Sequence, residues 1–317
     1  MKIVALDAYT VNPGDIDWEP LKKLGDFIAY ERTSRDLVVE RCRGAEIVLT
    51  NKVVLDAEIL NQLPRLLYIG VLATGYNVVD VEAATRQNVV VTNIPAYSTD
   101  SVAQMAFAHI LNITNRVDYY ANENRGGKWQ NSPDFTYYNH NYHELSGKTM
   151  GIVGLGNTGM ATAKIALAFN MKVIALSSKD KEQIPEGIKL VDIDNLFEES
   201  DVISLHCPLT ESTRHIVNRQ RIEKMKNNAI LINTGRGPLV NDVELAEALN
   251  NKRILAYGAD VITQEPPVEG NSLLNAKNAF FTPHIAWATE EARIRLINIA
   301  AQNVKAFIKG KPINTVN

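Results

Sequence analysis

A chain of 317 residues exceeds what one hydrophobic core usually holds and suits two domains of roughly 100–200 residues each. With 45% hydrophobic and 22% charged residues, a formal net charge of −3 and scattered lysines and arginines, the composition excludes the basic face of a nucleic-acid-binding surface. Cys42 and Cys207 are too few and too far apart for a disulfide framework or a zinc site, so a reducing, cytoplasmic setting without a metal is expected. No apolar run approaches the ~18 residues of a membrane span, and Met1–Asp7 reads as a strand rather than a signal peptide.

Short apolar segments alternate with amphipathic ones from the start. Strands are predicted near 2–7, 45–50, 66–71 and 88–93, and helices near 17–24, 35–43, 56–62 and 79–87, which is the order of a parallel α/β sheet. Asn93–Asp100 then holds a proline turn and N-cap residues, a hinge leading into a long helix near 99–121. Residues 122–144 are rich in Asn, Gly, Tyr and His, carry Trp129 and Phe135, and show no period. A loop of this length reads as functional or as an interface arm.

The run from Met150 to Gly159 joins an apolar strand to three glycines at the spacing a dinucleotide phosphate needs. Gly154 permits the tight turn, Gly156 lets the backbone approach a pyrophosphate, and Gly159 lets the following helix pack closely on the sheet. The surrounding pattern is a strand over 148–154, a helix over 157–170 with Ala161, Ile165, Ala168 and Phe169 inward, and a strand over 171–177. A pyrophosphate is expected at the helix N-terminus, against Gly154, Gly156, Asn157, Thr158 and Gly159. Where an NAD site carries an acidic residue at the end of the second strand, this chain has Ser177, followed by Ser178 and Lys179. Hydroxyls and a cation there suit a 2′-phosphate, so an NAD(P) site leaning to NADP(H) over NAD(H) is expected, with Asp180 opposing that lean.

Strands near 201–205, 229–233, 256–260 and 279–282 complete a second sheet. A last helix begins near Thr289 with Glu290 and Glu291 in its first turn, places Ile294, Ile297, Ala301, Val304 and Ile308 inward, and ends at Gly310 and Pro312. The expected fold class is α/β, with two doubly wound parallel-sheet domains. A Rossmann cofactor domain over 98–287 is inserted in a smaller flavodoxin-like substrate domain made of 1–97 plus 288–317.

Three loops after strands of the second sheet each offer one ionisable group: Arg236 in Asn233-Thr234-Gly235-Arg236-Gly237, Glu265 after Asp260-Val261, and His284 in Thr282-Pro283-His284-Ile285-Ala286. Loops at the carboxyl ends of parallel strands border the ligand crevice. Reducing a 2-oxo acid requires a cation to orient the carboxylate and polarise the carbonyl, an acid to protonate the nascent alkoxide, and a carboxylate to tune that acid. Arg236, His284 and Glu265 fill these roles in that order.

At this point the chain resembles the D-isomer-specific 2-hydroxyacid dehydrogenase family over essentially its whole length. The resemblance is carried by Gly154-Leu155-Gly156-Asn157-Thr158-Gly159, His206-Cys207-Pro208-Leu209-Thr210 and the three loops above. It implies that Arg236, Glu265 and His284 are catalytic and that Leu72, Ala73, Thr74 and Gly75 hold the substrate carboxylate through backbone amides. It also implies cofactor contacts at Cys207, Pro208 and Thr234, with Asp260 near the nicotinamide carboxamide, and a homodimer formed through the cofactor domain. The segment from Trp129 to Phe135, leading into Glu144–Thr149, is similar to the glycerate dehydrogenase, or hydroxypyruvate reductase, branch. The implied reaction is therefore hydroxypyruvate to D-glycerate. The alternatives are a glyoxylate or D-lactate type of dehydrogenase, or a non-enzymatic dinucleotide-binding protein like the co-repressors of this fold; because those carry added docking segments, an enzyme is expected.

Overall fold

Five short segments in the first hundred positions fold as β1 (Lys2–Ala5), β2 (Asp26–Ala29), β3 (Ile47–Thr50), β4 (Tyr68–Val71) and β5 (Val90–Thr92). All pair in parallel, in the order β2-β1-β3-β4-β5. The computed structural model describes residues 1–317. Short helices α1 (Glu19–Lys22), α2 (Val38–Arg41), α3 (Ala57–Leu60) and α4 (Val81–Arg86) link the strands. The last two are started by Asp56 and Asp80, whose carboxylates accept the N–H of Ile59 and Ala83. β2 was not among the expected strands, because it is a four-residue edge strand without a buried residue and so carries little hydrophobic signal.

The two-residue period of β1 divides its side chains between two cores. Val4 and Leu6 join Val48, Ile69 and Val71 on one face, and Ile3 and Ala5 join Ile47, Leu49 and Tyr68 on the other. Asp7, just past β1, is buried and accepts the N–H groups of Asn51 (2.8 Å), Lys52 (2.5 Å) and Val53 (3.2 Å), fixing the loop after β3.

The helix expected through residue 121 breaks earlier. α5 (Thr99–Asn115) ends where Arg116 takes φ 52°, and α6 (Val117–Arg125) occupies the start of the segment read as a loop. Residues 126–144 hold no helix or strand. Then follow β6 (Thr149–Val153), α7 (Asn157–Ala168), β7 (Lys172–Leu176), β8 (Ile188–Leu190), α8 (Ile193–Glu199) and β9 (Val202–Leu205). After them come α9 (Arg219–Lys224), β10 (Ile230–Asn233), α10 (Asp242–Asn250), β11 (Ala256–Ala259) and β12 (Ala279–Phe281). The seven strands form one parallel sheet in the order β12-β11-β10-β9-β6-β7-β8, so the direction of winding reverses between β6 and β9. β8, a three-residue edge strand, was also missed in the sequence.

α7 is rotated from its expected setting. Gly159, Thr162, Ala163 and Ala166 face inward, whereas Ala168 and Phe169 are exposed and Ala161 and Ile165 half-buried. The cause is Gly159, where an added Cβ would stand 2.0 Å from the Gly154 carbonyl oxygen, so the glycine face must lie on the sheet.

The chain closes with α11 (Glu290–Ile308), capped by Thr289, whose hydroxyl accepts the Ala292 N–H. Met1–Ser98 and Trp287–Asn317 form one compact unit and Thr99–Ala286 the other. No helix is long and apolar enough to cross a membrane. On α11 the buried apolar positions are Ala292, Leu296, Ile297, Ala300, Ala301 and Val304, packed on the Ile3, Ile47 and Tyr68 face of the first sheet. Ile294 and Ile308, expected inward, are 42% and 43% exposed. The helix admits a buried Arg293 in their place because its guanidinium makes paired bonds to the Asp15 carboxylate at 2.7 and 2.5 Å. Leu296→Ala is therefore expected to destabilise the protein by about 2–5 kcal/mol in urea unfolding, and Ile294→Ala by well under 1 kcal/mol. Equal effects would contradict this helix face.

Candidate active site

The reversal of winding places the loops after β6 and β9 side by side. Gly154, at φ 98°, turns the chain so tightly against the β9 loop that a Cβ there would stand 2.8 Å from the Cys207 nitrogen. Two residues on, Gly156 is the N-cap of α7; a Cβ there would meet nothing within 4 Å, and no side chain caps the helix. Open space, uncapped N–H groups and the positive end of a twelve-residue helix together fit an anionic diphosphate. Thr234, on the next loop of the sheet, has a buried hydroxyl without a hydrogen-bond partner, the kind of group a bound cofactor satisfies. Asn157, Thr158 and Gly159 supply the first turn of α7.

Two side chains beside this cradle are kept neutral. The His206 imidazole bonds Ser204 Oγ at 2.8 Å and burial pushes its pKa down to about 4, and burial raises the Cys207 thiol, which removes it as a nucleophile. At the end of β7 the Ser177 hydroxyl accepts the Lys179 N–H at 3.1 Å, shaping a turn on which Ser178 and Lys179 are exposed. Pro208 is exposed as well.

Arg236, Glu265 and His284 follow β10, β11 and β12, which are neighbours in the sheet, so their loops lie side by side. The buried Asn233 side chain shapes the first loop, accepting the Gly235 N–H at 3.0 Å and donating to the Arg236 carbonyl at 2.9 Å. Gly237 then passes so close to the next loop that a Cβ would stand 2.0 Å from the Ile262 carbonyl carbon. Arg236 itself is exposed, with one N–H donated to the Gly235 carbonyl at 2.8 Å. The Glu265 carboxylate accepts the Ile262 N–H through Oε1 (3.2 Å) and His284 Nδ1–H through Oε2 (2.5 Å). Since a carboxylate only accepts, Nδ1 carries the proton and Nε2 is the nitrogen on the far side of the ring.

His284 adopts φ 56°, in the left-handed region, with its N–H bonded to the Thr282 carbonyl at 3.0 Å. The following two N–H groups go to Asp260: Ile285 N–H to Oδ1 (2.9 Å) and Ala286 N–H to Oδ2 (2.7 Å). The Thr282 hydroxyl donates to Oδ1 at 2.5 Å, and His109 Nε2 lies 3.1 Å from that hydroxyl. Asp260, 1% exposed, thus has both oxygens engaged in holding the His284 turn. His109, Thr282 and Asn233 were not singled out as site residues in the sequence. Thr282 lies within the recognised loop, but a histidine on the inward face of a helix carries no pattern that separates it from a core residue.

In the other unit, Leu72–Gly75 follows β4. The loop is tethered by Ile94 N–H to the Ala73 carbonyl (3.0 Å), Asn93 Nδ2 to the Thr74 carbonyl (2.8 Å) and the Thr74 hydroxyl to the Ile94 carbonyl (3.0 Å). The first two tethers use the Ala73 and Thr74 carbonyls, the third uses the Thr74 hydroxyl as donor, and the Leu72 N–H is donated to the Thr50 carbonyl at 2.8 Å. The Leu72 side chain is buried.

Comparison with known proteins agrees with this geometry. Residues 107–286 match the family model described as D-isomer specific 2-hydroxyacid dehydrogenase, NAD binding domain. The chain is 46% identical to hydroxypyruvate reductase of Blautia hydrogenotrophica over 100% of both chains. It is 41% identical to glycerate dehydrogenase of Methylorubrum extorquens over 92% of each. Its fold matches that of D-lactate dehydrogenase from Aquifex aeolicus, complexed with NAD and lactic acid, with TM-score 0.84 and 31% identity over 100% of this chain and 99% of that one. The chain belongs to the D-isomer specific 2-hydroxyacid dehydrogenase family, and the residues that match its NAD binding domain lie within the Thr99–Ala286 unit.

Gly159→Ala is expected to weaken binding of the reduced dinucleotide at least about tenfold, or ~1.4 kcal/mol, because the methyl group pushes α7 off the Gly154 turn. Fluorescence titration with NADH and NADPH measures this, and an unchanged Kd would contradict the cradle.

Proposed function

We propose that this protein reduces a small 2-oxo acid to the D-2-hydroxy acid with NAD(P)H, and that its substrate is hydroxypyruvate, giving D-glycerate. The observation that carries the reading is the 2.5 Å bond from His284 Nδ1 to Glu265, on loops adjoining that of Arg236. The substrate follows the hydroxypyruvate reductase and glycerate dehydrogenase relatives.

When bound, the reduced nicotinamide supplies a hydride to the substrate's C2. Arg236 orients the substrate carboxylate and polarises the C2 carbonyl. As negative charge builds on the C2 oxygen, His284 delivers its Nε2 proton there and is left neutral, with Nδ1–H still on Glu265. Glu265 fixes the ring and balances its charge while it carries two protons. In the reverse direction His284 Nε2 takes the proton from the hydroxy acid.

NADP(H) is the proposed preference. Ser177 stands where a carboxylate would repel a 2′-phosphate, and Lys164 and Lys179 line with Asn157 a groove of about 500 Å³, against one opposing charge there, Asp100. The proposed assembly is a homodimer, supported by exposed aromatic side chains on the 126–144 arm: Phe135 is 90% exposed, Tyr138 75% and Trp129 56%.

Steady-state rates with hydroxypyruvate, glyoxylate and pyruvate, each with NADH and NADPH, test the reading. The highest kcat/KM is expected for hydroxypyruvate with NADPH, and equal or higher efficiency on glyoxylate or pyruvate would remove the substrate assignment. His284→Ala is expected to lower kcat by about 10²–10⁴-fold with dinucleotide Kd unchanged, and Arg236→Lys to raise the KM of the 2-oxo acid. Full activity of His284→Ala would overturn the mechanism.

A further inference from the structure

We propose that His109, buried on α5, is a positioning residue for His284 and acts through Thr282 and Asp260. The inference rests on the reading of His284 as the proton donor.

His109 lies on the inward face of α5 and is 5% exposed. Its place is made by a glycine: on β11, a Cβ at Gly258 would come 2.8 Å from His109 Cβ. An aliphatic side chain would fill this site without the penalty of burying two ring nitrogens, so the imidazole is accounted for by the bond it makes. Burial lowers the His109 pKa, partly offset by the Asp260 charge, and the ring is neutral.

The direction of each hydrogen bond follows from the chemistry of the groups. The Asp260 carboxylate can only accept, so the single Thr282 hydroxyl proton points at Oδ1, 2.5 Å away. That hydroxyl must then accept from His109, which fixes the tautomer as Nε2–H, at 3.1 Å. His109 therefore locks the Thr282 rotor, and the locked rotor orients a carboxylate whose oxygens hold Ile285 N–H and Ala286 N–H. Those two amides immediately follow His284 and keep it in its left-handed turn. Without the His109 donor, the hydroxyl and then the carboxylate gain rotational freedom, and the His284 ring loses both the aim of Nε2 and the fixed geometry of its Nδ1 bond to Glu265.

The test compares His109→Leu with His109→Gln, whose side-chain amide also donates, and Thr282→Val with Thr282→Ser, with His284→Ala as the reference. His109→Leu and Thr282→Val are expected to lower kcat about tenfold or more, while His109→Gln and Thr282→Ser stay within about threefold of the unaltered protein. NADPH Kd is expected to be unchanged in all four, and melting temperature to fall only in Thr282→Val, which leaves the buried His109 donor unpaired. The His284 Nδ1 proton resonance is expected to shift in His109→Leu and not in His109→Gln. If His109→Leu does not fold, the Thr282 pair reads the same link. Unaltered kcat in His109→Leu or Thr282→Val, or equal losses in His109→Gln and His109→Leu, would overturn the relay while leaving His284 in place. Full activity in His284→Ala would overturn the site reading itself.

Discussion

His284 stands at φ 56°, where a Cβ meets the backbone and the conformation costs roughly 1–2 kcal/mol. The buried Asp260 carboxylate offsets that cost by accepting the two N–H groups that follow, at 2.9 and 2.7 Å. Because Asp260 begins the loop after β11 and His284 lies on the loop after β12, this one carboxylate ties adjacent strand ends together. Glu265, five residues after Asp260, then meets Nδ1 of the same histidine. A single ring is thus located from two sides, by its backbone through Asp260 and by its side chain through Glu265, and such over-determination lets a strained conformation persist at a reactive group.

The other constraints are close approaches that only glycine permits. Gly154 against Cys207 and Gly159 against the Gly154 carbonyl set the rotation of α7 and leave its uncapped N-terminus beside the crevice of the sheet. Gly237 against Ile262 does the same for the Arg236 loop, holding its backbone against the segment that carries Glu265. The proposed sites of anion binding and proton delivery therefore share one sheet: the first uses the reversal between β6 and β9, and the second the strand ends β10 to β12.

Much of this was legible in the sequence where a pattern has a physical cause. The parallel alternation, the glycine fingerprint and the three ionisable loops were readable because strand burial, phosphate approach and the chemistry of a 2-oxo acid each demand particular residues at particular spacings. What escaped was decided by tertiary contact. β2 and β8 are short edge strands with few or no buried side chains. The inward face of α7 follows a glycine contact rather than the spacing of its apolar residues, and that of α11 takes in Arg293, buried against Asp15, while Ile294 is exposed. His109 could not be separated from a core residue, since its partner Thr282 lies 173 positions away.

The central claim is that His284 Nε2 gives its proton to the C2 oxygen of a 2-oxo acid. A crystal structure of the protein with the reduced dinucleotide and an unreactive 2-oxo acid analogue tests it most directly. The account predicts His284 Nε2 about 2.6–3.2 Å from the C2 oxygen, with Nδ1 still on Glu265 and the analogue's carboxylate against Arg236. A complex in which Nε2 points to solvent, or another donor meets the C2 oxygen, would contradict it.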